Sequence, residues 1–148
     1  MMNVYKATVN DVEGVSRLFN SYRMFYEKPS DLNGAKRFIK ERMDLGDSII
    51  YVAVEEGMYV GFVQLYPSYS SVSMNRIWIL NDLYVEEDVR KKGVGQKLID
   101  QAVELCHQTN AKTLTLQTSV TNKTAQKLYE KNDFVKDNEF YYYELTVR

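Results

Sequence analysis

The stretch Arg90-Lys91-Lys92-Gly93-Val94-Gly95 has the residue types and the setting to hold phosphate. It follows a hydrophobic run ending Leu83-Tyr84-Val85 and precedes an amphipathic helical pattern from Gln96 to His107. A strand, a basic glycine-bearing loop and a helix start present unpaired backbone N–H groups and the positive end of a helix dipole to an anion. Glycine lets the backbone approach a ligand because no Cβ intervenes. The three cations add charge of the right sign, so a phosphorylated cofactor is the expected ligand.

Other reactive residue types carry less. Cys106 lies on the apolar face of that helical pattern and reads as a small core residue. His107 is the only histidine, and one histidine with one cysteine does not make a metal site. Lys123, Lys127 and Lys131 recur every fourth residue, as on a solvated helix face.

The chain has 148 residues and a net charge of −1, which suits one domain and gives no global basic field to recruit nucleic acid or a membrane surface. A single cysteine excludes an internal disulfide framework. No run approaches the roughly 18 apolar residues of a membrane helix, and the start lacks a signal-peptide pattern. A cytoplasmic location is the expectation.

The elements that must position the basic loop follow from periodicity. Asn3 to Thr8 reads as a strand. Asn10 or Asp11 caps a helix carrying Val12, Val15, Leu18, Phe19, Tyr22, Phe25 and Tyr26, which Lys28-Pro29 ends. Ser30 caps a second helix over 31–44, closed by Leu45-Gly46-Asp47. Ile49 to Glu55 and Tyr59 to Tyr66 are β-rich runs joined at Glu56-Gly57-Met58, a hairpin signal. A polar loop at 68–73 leads to a mostly buried strand, Arg76 to Val85. After the helix come a strand at Thr113 to Thr118, a short helix at Asn122 to Lys131, and closing strands at Phe134-Val135 and Glu139 to Val147. The order β-α-α-β-β-β-α-β-α-β-β argues for a mixed α/β domain, one sheet with helices on both faces.

This order and two motifs resemble the GNAT acetyltransferase superfamily over essentially the whole chain. Arg90, Gly93 and Gly95 match its Arg/Gln-x-x-Gly-x-Gly/Ala loop. Asn122-x-x-Ala125-x-x-Leu128-Tyr129-x-x-x-x-Phe134 is similar to its Asn-x-x-Ala-x-x-Leu-Tyr-x-x-x-Gly-Phe segment, with Asp133 where glycine is usual. The resemblance implies a single mixed, mainly antiparallel sheet of about seven strands, with a splayed strand pair holding acetyl-CoA. The implied cofactor contacts are the backbone of Leu83, Tyr84 and Val85 to the pantetheine arm and the N–H groups from Lys91 through Lys92, Gly93, Val94, Gly95 and Gln96 to the pyrophosphate, with Arg90 opening the loop. Asn122 either contacts the cofactor arm or caps its helix, or does both.

The implied reaction is direct attack of a primary amine on the thioester, with a polyamine, a small amine or a lysine side chain as acceptor. Tyr129 matches the family's general acid, against a plain packed aromatic. A lysine-like ammonium is neutral in only about one molecule in 2,500 at pH 7, so a base is needed. Asp82 is the candidate, acting as base or only attracting the cation; polyamine-type relatives tend to have Glu-Asp where this chain has Asn81-Asp82. Residues 22–31 resemble the first-helix region of the yeast histone and polyamine acetyltransferase group and its bacterial relatives. Glu27 and Asp31 then meet a cationic acceptor and Tyr22 and Tyr26 offer cation–π faces, unless the stripe is only core. A protein N-terminus or an aminoglycoside is an alternative acceptor, and a non-catalytic acyl-CoA sensor the alternative class. Pairing of the last strands between subunits in some relatives makes a homodimer an expectation.

Overall fold

The computed structural model describes residues 1–148. Two compact units divide them, 1–117 and 118–148.

The first unit is built on a five-stranded sheet. Its strands are β1 (Met2–Lys6), β2 (Ile49–Glu55), β3 (Met58–Ser70), β4 (Asn75–Val85) and β5 (Thr113–Thr115), in spatial order β1-β2-β3-β4-β5. The first four pair antiparallel and β5 joins β4 in parallel. The β2–β3 turn is Glu56-Gly57, with φ of 50° and 79°. Both values lie in the left-handed region that a two-residue hairpin matching the strand twist requires.

Helices α1 (Val12–Phe25) and α2 (Leu32–Leu45) lie on one face. Their buried residues Val15, Leu18, Phe19, Ala35 and Ile39 pack with Ile50 and Val52 of β2 and Phe62 of β3. These strand residues share one parity, as side chains alternate across a sheet. The opposite parity faces α3 (Val94–Gln108), whose Val94, Leu98, Ile99, Ala102 and Leu105 are buried. Gly61 permits that approach: a Cβ there would stand 3.1 Å from Val94 Cγ1 and 3.0 Å from the Tyr84 carbonyl oxygen. No helix is long and apolar enough to cross a membrane.

Asp11 stands at the N-cap of α1 as expected, without a side-chain bond to that helix, and Thr8 caps the 3₁₀ turn Val9–Asp11 ahead of it. Asp31, not Ser30, caps α2. The hairpin strand β3 runs on to Ser70, through the first half of the expected polar loop.

The second unit holds α4 (Lys123–Lys131), capped by Asn122, and no residue of α4 is buried. The expected closing strands are corrected here: Phe134-Val135 and Glu139 to Val147 form no strand, β5 stops at Thr115, and the sheet has five strands, not about seven. Tyr141 is 90 % exposed and Val147 86 %. Tyrosine and valine favour strands because they pack on a half-buried pleated surface, and a run without a ladder partner expresses none of that preference.

Candidate active site

A β-bulge decides where the only acidic side chain of β4 points. Leu65 pairs with Leu80, but its neighbour Gln64 pairs with Asp82, so β4 carries one extra residue, Asn81. Cross-strand partners share a face and consecutive residues alternate. Leu80 and Asp82 therefore lie on opposite faces although they are two apart. Trp78, in phase with Leu80, donates its Nε1–H to Thr109 Oγ1 at the end of α3. Asp82 is turned to the other face, beside α1, as bulges near functional sites often re-aim a side chain.

There Asp82 is 4 % exposed. Gln64 Nε2 donates to its Oδ2 at 2.7 Å and Asn81 Nδ2 to its Oδ1 at 3.1 Å, and the Tyr22 hydroxyl of α1 is a third partner. No lysine or arginine pairs with it. Burial pushes its carboxyl above the usual range, and the bonds from Gln64, Tyr22 and Asn81 offset only part of that rise. Tyr66 of β3 is pushed up to about 12, by burial first and by the charge of Asp82 second.

The end of β4 beyond Asp82 has a free edge. Pairing with β5 is confined to Ile77–Ile79. The Glu86 N–H donates to the Val60 carbonyl on β3 at 2.9 Å. By the alternation of an antiparallel ladder, Tyr84 also addresses β3 while Leu83 and Val85 turn their N–H and C=O groups away from it. That open edge suits a chain with its own amides, which could add there as a strand. Arg90 folds over the same end: its Nε donates to the Val85 carbonyl at 2.8 Å, and its guanidinium lies 5.7 Å from the Tyr84 ring centre and 5.9 Å from that of Phe25.

The loop into α3 bends twice through left-handed backbone, with φ of 69° at Lys91 and 81° at Gly93. Lys91, Lys92 and Gly93 are exposed and Val94 is buried against β3. No side chain caps α3, whereas Asp31 accepts the Gly34 N–H at α2 and Asn122 accepts the Ala125 N–H at α4. The N–H groups of Val94 and Gly95 thus have no side-chain cap. Gln96 Nε2 donates to Asp100 Oδ1. An uncapped helix start, three cations and an open strand edge make room for an anion beside an extended chain of amides.

Aromatic rings wall the α1 side. Tyr22 meets Tyr26 edge-on at 5.1 Å between centres and Tyr84 at 6.4 Å, and Phe25 meets Tyr26 at 5.3 Å. Tyr22, Tyr26, Tyr84, Asp82 and Arg90 are thus gathered at one end of β4. Glu27 has φ of 63° where the chain leaves α1, and Asp31 spends Oδ1 on its helix cap. Neither bonds to the aromatic cluster.

Within 118–148, Asn122 Oδ1 accepts the Ala125 N–H at 3.2 Å, so the capping role exists. Tyr129 is half-buried with its ring edge-on to Phe134 at 5.7 Å. Asp133 has φ of 68°, the left-handed backbone that glycine would otherwise serve. Cys106 of α3 is half-buried, and burial pushes its thiol up, against a nucleophilic role.

Sequence reading missed Gln64 and Ser48. Gln64 is fully buried in the apolar run 60–65, and Ser48 donates to its Oε1 at 2.8 Å. An amide inside an apolar strand was the available signal, since buried polar groups need partners.

Residues 15–134 match the Acetyltransferase (GNAT) family, and the chain belongs to it. An uncharacterized N-acetyltransferase of Bacillus subtilis, YhfO, is 47% identical over 146 residues, covering 99% of this chain and 98% of that protein. The crystal structure of a probable acetyltransferase superposes with a TM-score of 0.93 at 38% identity, covering 99% of this chain and 98% of the other. The yeast D-amino-acid N-acetyltransferase HPA3 is more distant, 28% identical over 88% of this chain and 83% of its own. The protein is an acetyl-CoA-dependent N-acetyltransferase.

Proposed function

We propose that the acceptor is a primary amine, a polyamine, a small amine or a lysine side chain, and that it is deprotonated at Asp82. The observation that carries this reading is the bulge-turned carboxylate, 4 % exposed and held by neutral donors alone. A buried anion without a cation of its own attracts an ammonium, and its raised pKa makes it a better base than an exposed aspartate. Tyr22 and Tyr26 offer ring faces to the same cation, with Glu27 and Asp31 further out on the acceptor side.

Acetyl-CoA, when bound, supplies an activated acetyl thioester. Leu83, Tyr84 and Val85 would hold its amide arm along β4. Arg90, Lys91, Lys92, Gly93, Val94, Gly95 and Gln96 would hold its pyrophosphate at the start of α3, with Asn122 on the arm as well as capping α4. Asp82 takes the proton of the acceptor ammonium. Tyr129, by its place in the Asn122–Phe134 motif, holds at its hydroxyl the proton that the departing sulfur takes. The whole chain serves as one catalytic domain, in the cytoplasm, and the exposed run at 140–147 supports a homodimer, which light scattering after size exclusion would read.

The distant likeness to HPA3, a D-amino-acid N-acetyltransferase, supports an amine acceptor without choosing its class. The test is thiol release from acetyl-CoA across a panel of polyamines, lysine esters, D-amino acids, N-terminal peptides and aminoglycosides. Release with the first two classes is the expected result. Release only with N-terminal peptides or aminoglycosides overturns the acceptor assignment, and cofactor binding without release for any amine makes the chain an acyl-CoA sensor.

A further inference from the structure

Gln64 is the one fully buried amide side chain of the sheet, and the reaction as proposed gives it no part. Its two ends are spoken for. Nε2 donates to Asp82 Oδ2 at 2.7 Å, and Oε1 accepts from the Ser48 hydroxyl at 2.8 Å. A carboxylate only accepts, so the amide must show it N–H and not C=O. Rotating the amide by half a turn would set Oε1 against Asp82 Oδ2. The Ser48 hydroxyl, in the turn between α2 and β2, donates to Oε1 in the one orientation the carboxylate allows and braces the far end of the amide.

We infer that Gln64, braced at its far end by Ser48, is a positioning residue for Asp82: it anchors Oδ2 and leaves Oδ1 as the oxygen that receives the acceptor's proton. The bulge makes this possible, because it pairs Asp82 with Gln64 across the sheet on the α1 face. Oδ1 is the oxygen that faces Asn81, an exposed residue, and takes the longer 3.1 Å bond from its Nδ2. In the transfer an N–H bond of the ammonium breaks and an O–H bond forms at Oδ1, and the amide of Gln64 loses and gains nothing.

The groups around Asp82 leave this role to a neutral amide. Tyr22 of α1 and Asn81 of β4 are its other partners. The charge of Asp82 acts on Tyr66 of β3, as do Arg42 at the end of α2 and Asp47 in the following turn. An arginine in place of Gln64 would hold the carboxylate too acidic to take a proton, and an apolar residue would leave it without its 2.7 Å bond. A neutral donor keeps it ionised yet basic.

The inference rests on Asp82 being the base, and the experiment separates the two. The full chain, labelled with ¹³C at aspartate carboxyls, is titrated by NMR, with the Asp82 signal identified by its absence in Asp82→Asn. Gln64→Leu should raise the Asp82 titration by about one unit or more, the size expected when a hydrogen bond to a charged group is lost. Ser48→Ala should move it the same way by less. With the best primary amine of the panel, the acidic limb of kcat/KM should move by the same increments, while KM for acetyl-CoA stays put. An unmoved titration in Gln64→Leu overturns the positioning role, and Ser48→Ala decides in the same way where the leucine variant does not fold. A titration that moves while the kinetic limb does not leaves the bond intact as structure and removes Asp82 as the base.

Discussion

Two buried carboxylates lie at opposite ends of α1, and they have opposite acidities. Asp11, 6 % exposed, precedes the helix; Tyr5 and Tyr59 donate to its Oδ1 at 2.8 and 2.6 Å, and the Thr8 N–H donates to Oδ2 at 2.9 Å. Burial alone would raise its carboxyl, but the bonds from Tyr59, Thr8 and Tyr5 outweigh that and hold it below the usual range. Asp82, near the other end of α1, is buried as well, yet its donors do not offset the desolvation and its carboxyl stays high. Two short phenol bonds and a backbone N–H favour the anion of Asp11 and tie β1 and β3 to the start of α1. In the proposed reaction the amide of Gln64 leaves Asp82 able to exchange a proton. Burial does not mark a reactive carboxylate; the balance between burial and donors does.

The largest effect should come from asking both residues to do chemistry. Asp82→Asn should lower kcat/KM for the amine about 10²–10⁴-fold and remove the acidic limb of its pH profile, whereas Asp11→Asn should leave the rate per folded molecule near wild type. Steady-state thiol release corrected for folded fraction checks both, and equal losses would erase the distinction. On stability the order reverses. Asp11→Asn gives up charge-assisted bonds worth about 1.5–3 kcal/mol, which urea unfolding at pH 7 would read. Because its folded pKa is depressed, that contribution is present above the unfolded value near 4 and fades as pH falls through the folded one, so the gap between variant and wild type should narrow in acid.

Much of this site could be read from residue order. The loop at 90–95 was visible because glycine between cations ahead of a helix period has few other uses, and the hairpin at Glu56-Gly57 was visible from its turn residues. What could not be read depends on pairing between distant segments. The bulge at Asn81 exists only as a mismatch between β3 and β4, and strict alternation along β4 alone would have left Asp82 on the face of Leu80. The bonds from Gln64 and Tyr22 to Asp82 follow from that pairing. The run at 139–147 failed in the other direction, since three tyrosines and a valine promise a strand while strand formation needs an edge to pair with.

The smallest effect is the sharpest test of the contrast, because its sign is unusual. A carboxyl whose folded pKa is raised binds its proton more tightly when folded, so folding loses stability as pH rises from the unfolded value near 4 through the folded one. Asp82 is then a cost to the wild type at neutral pH, in keeping with the base proposed for it. Asp82→Asn removes the charge and keeps an acceptor for Gln64, so at pH 7 it should be slightly more stable than wild type, by a few tenths to about 1 kcal/mol. The advantage should shrink below pH 4, where the wild-type carboxyl is protonated in both states. Thermal unfolding of both chains from pH 3 to 8 measures the difference directly. An Asp82→Asn curve that lies below wild type at neutral pH and converges with it in acid would make Asp82 a second Asp11, a structural anion, and the division between the two ends of α1 would be gone.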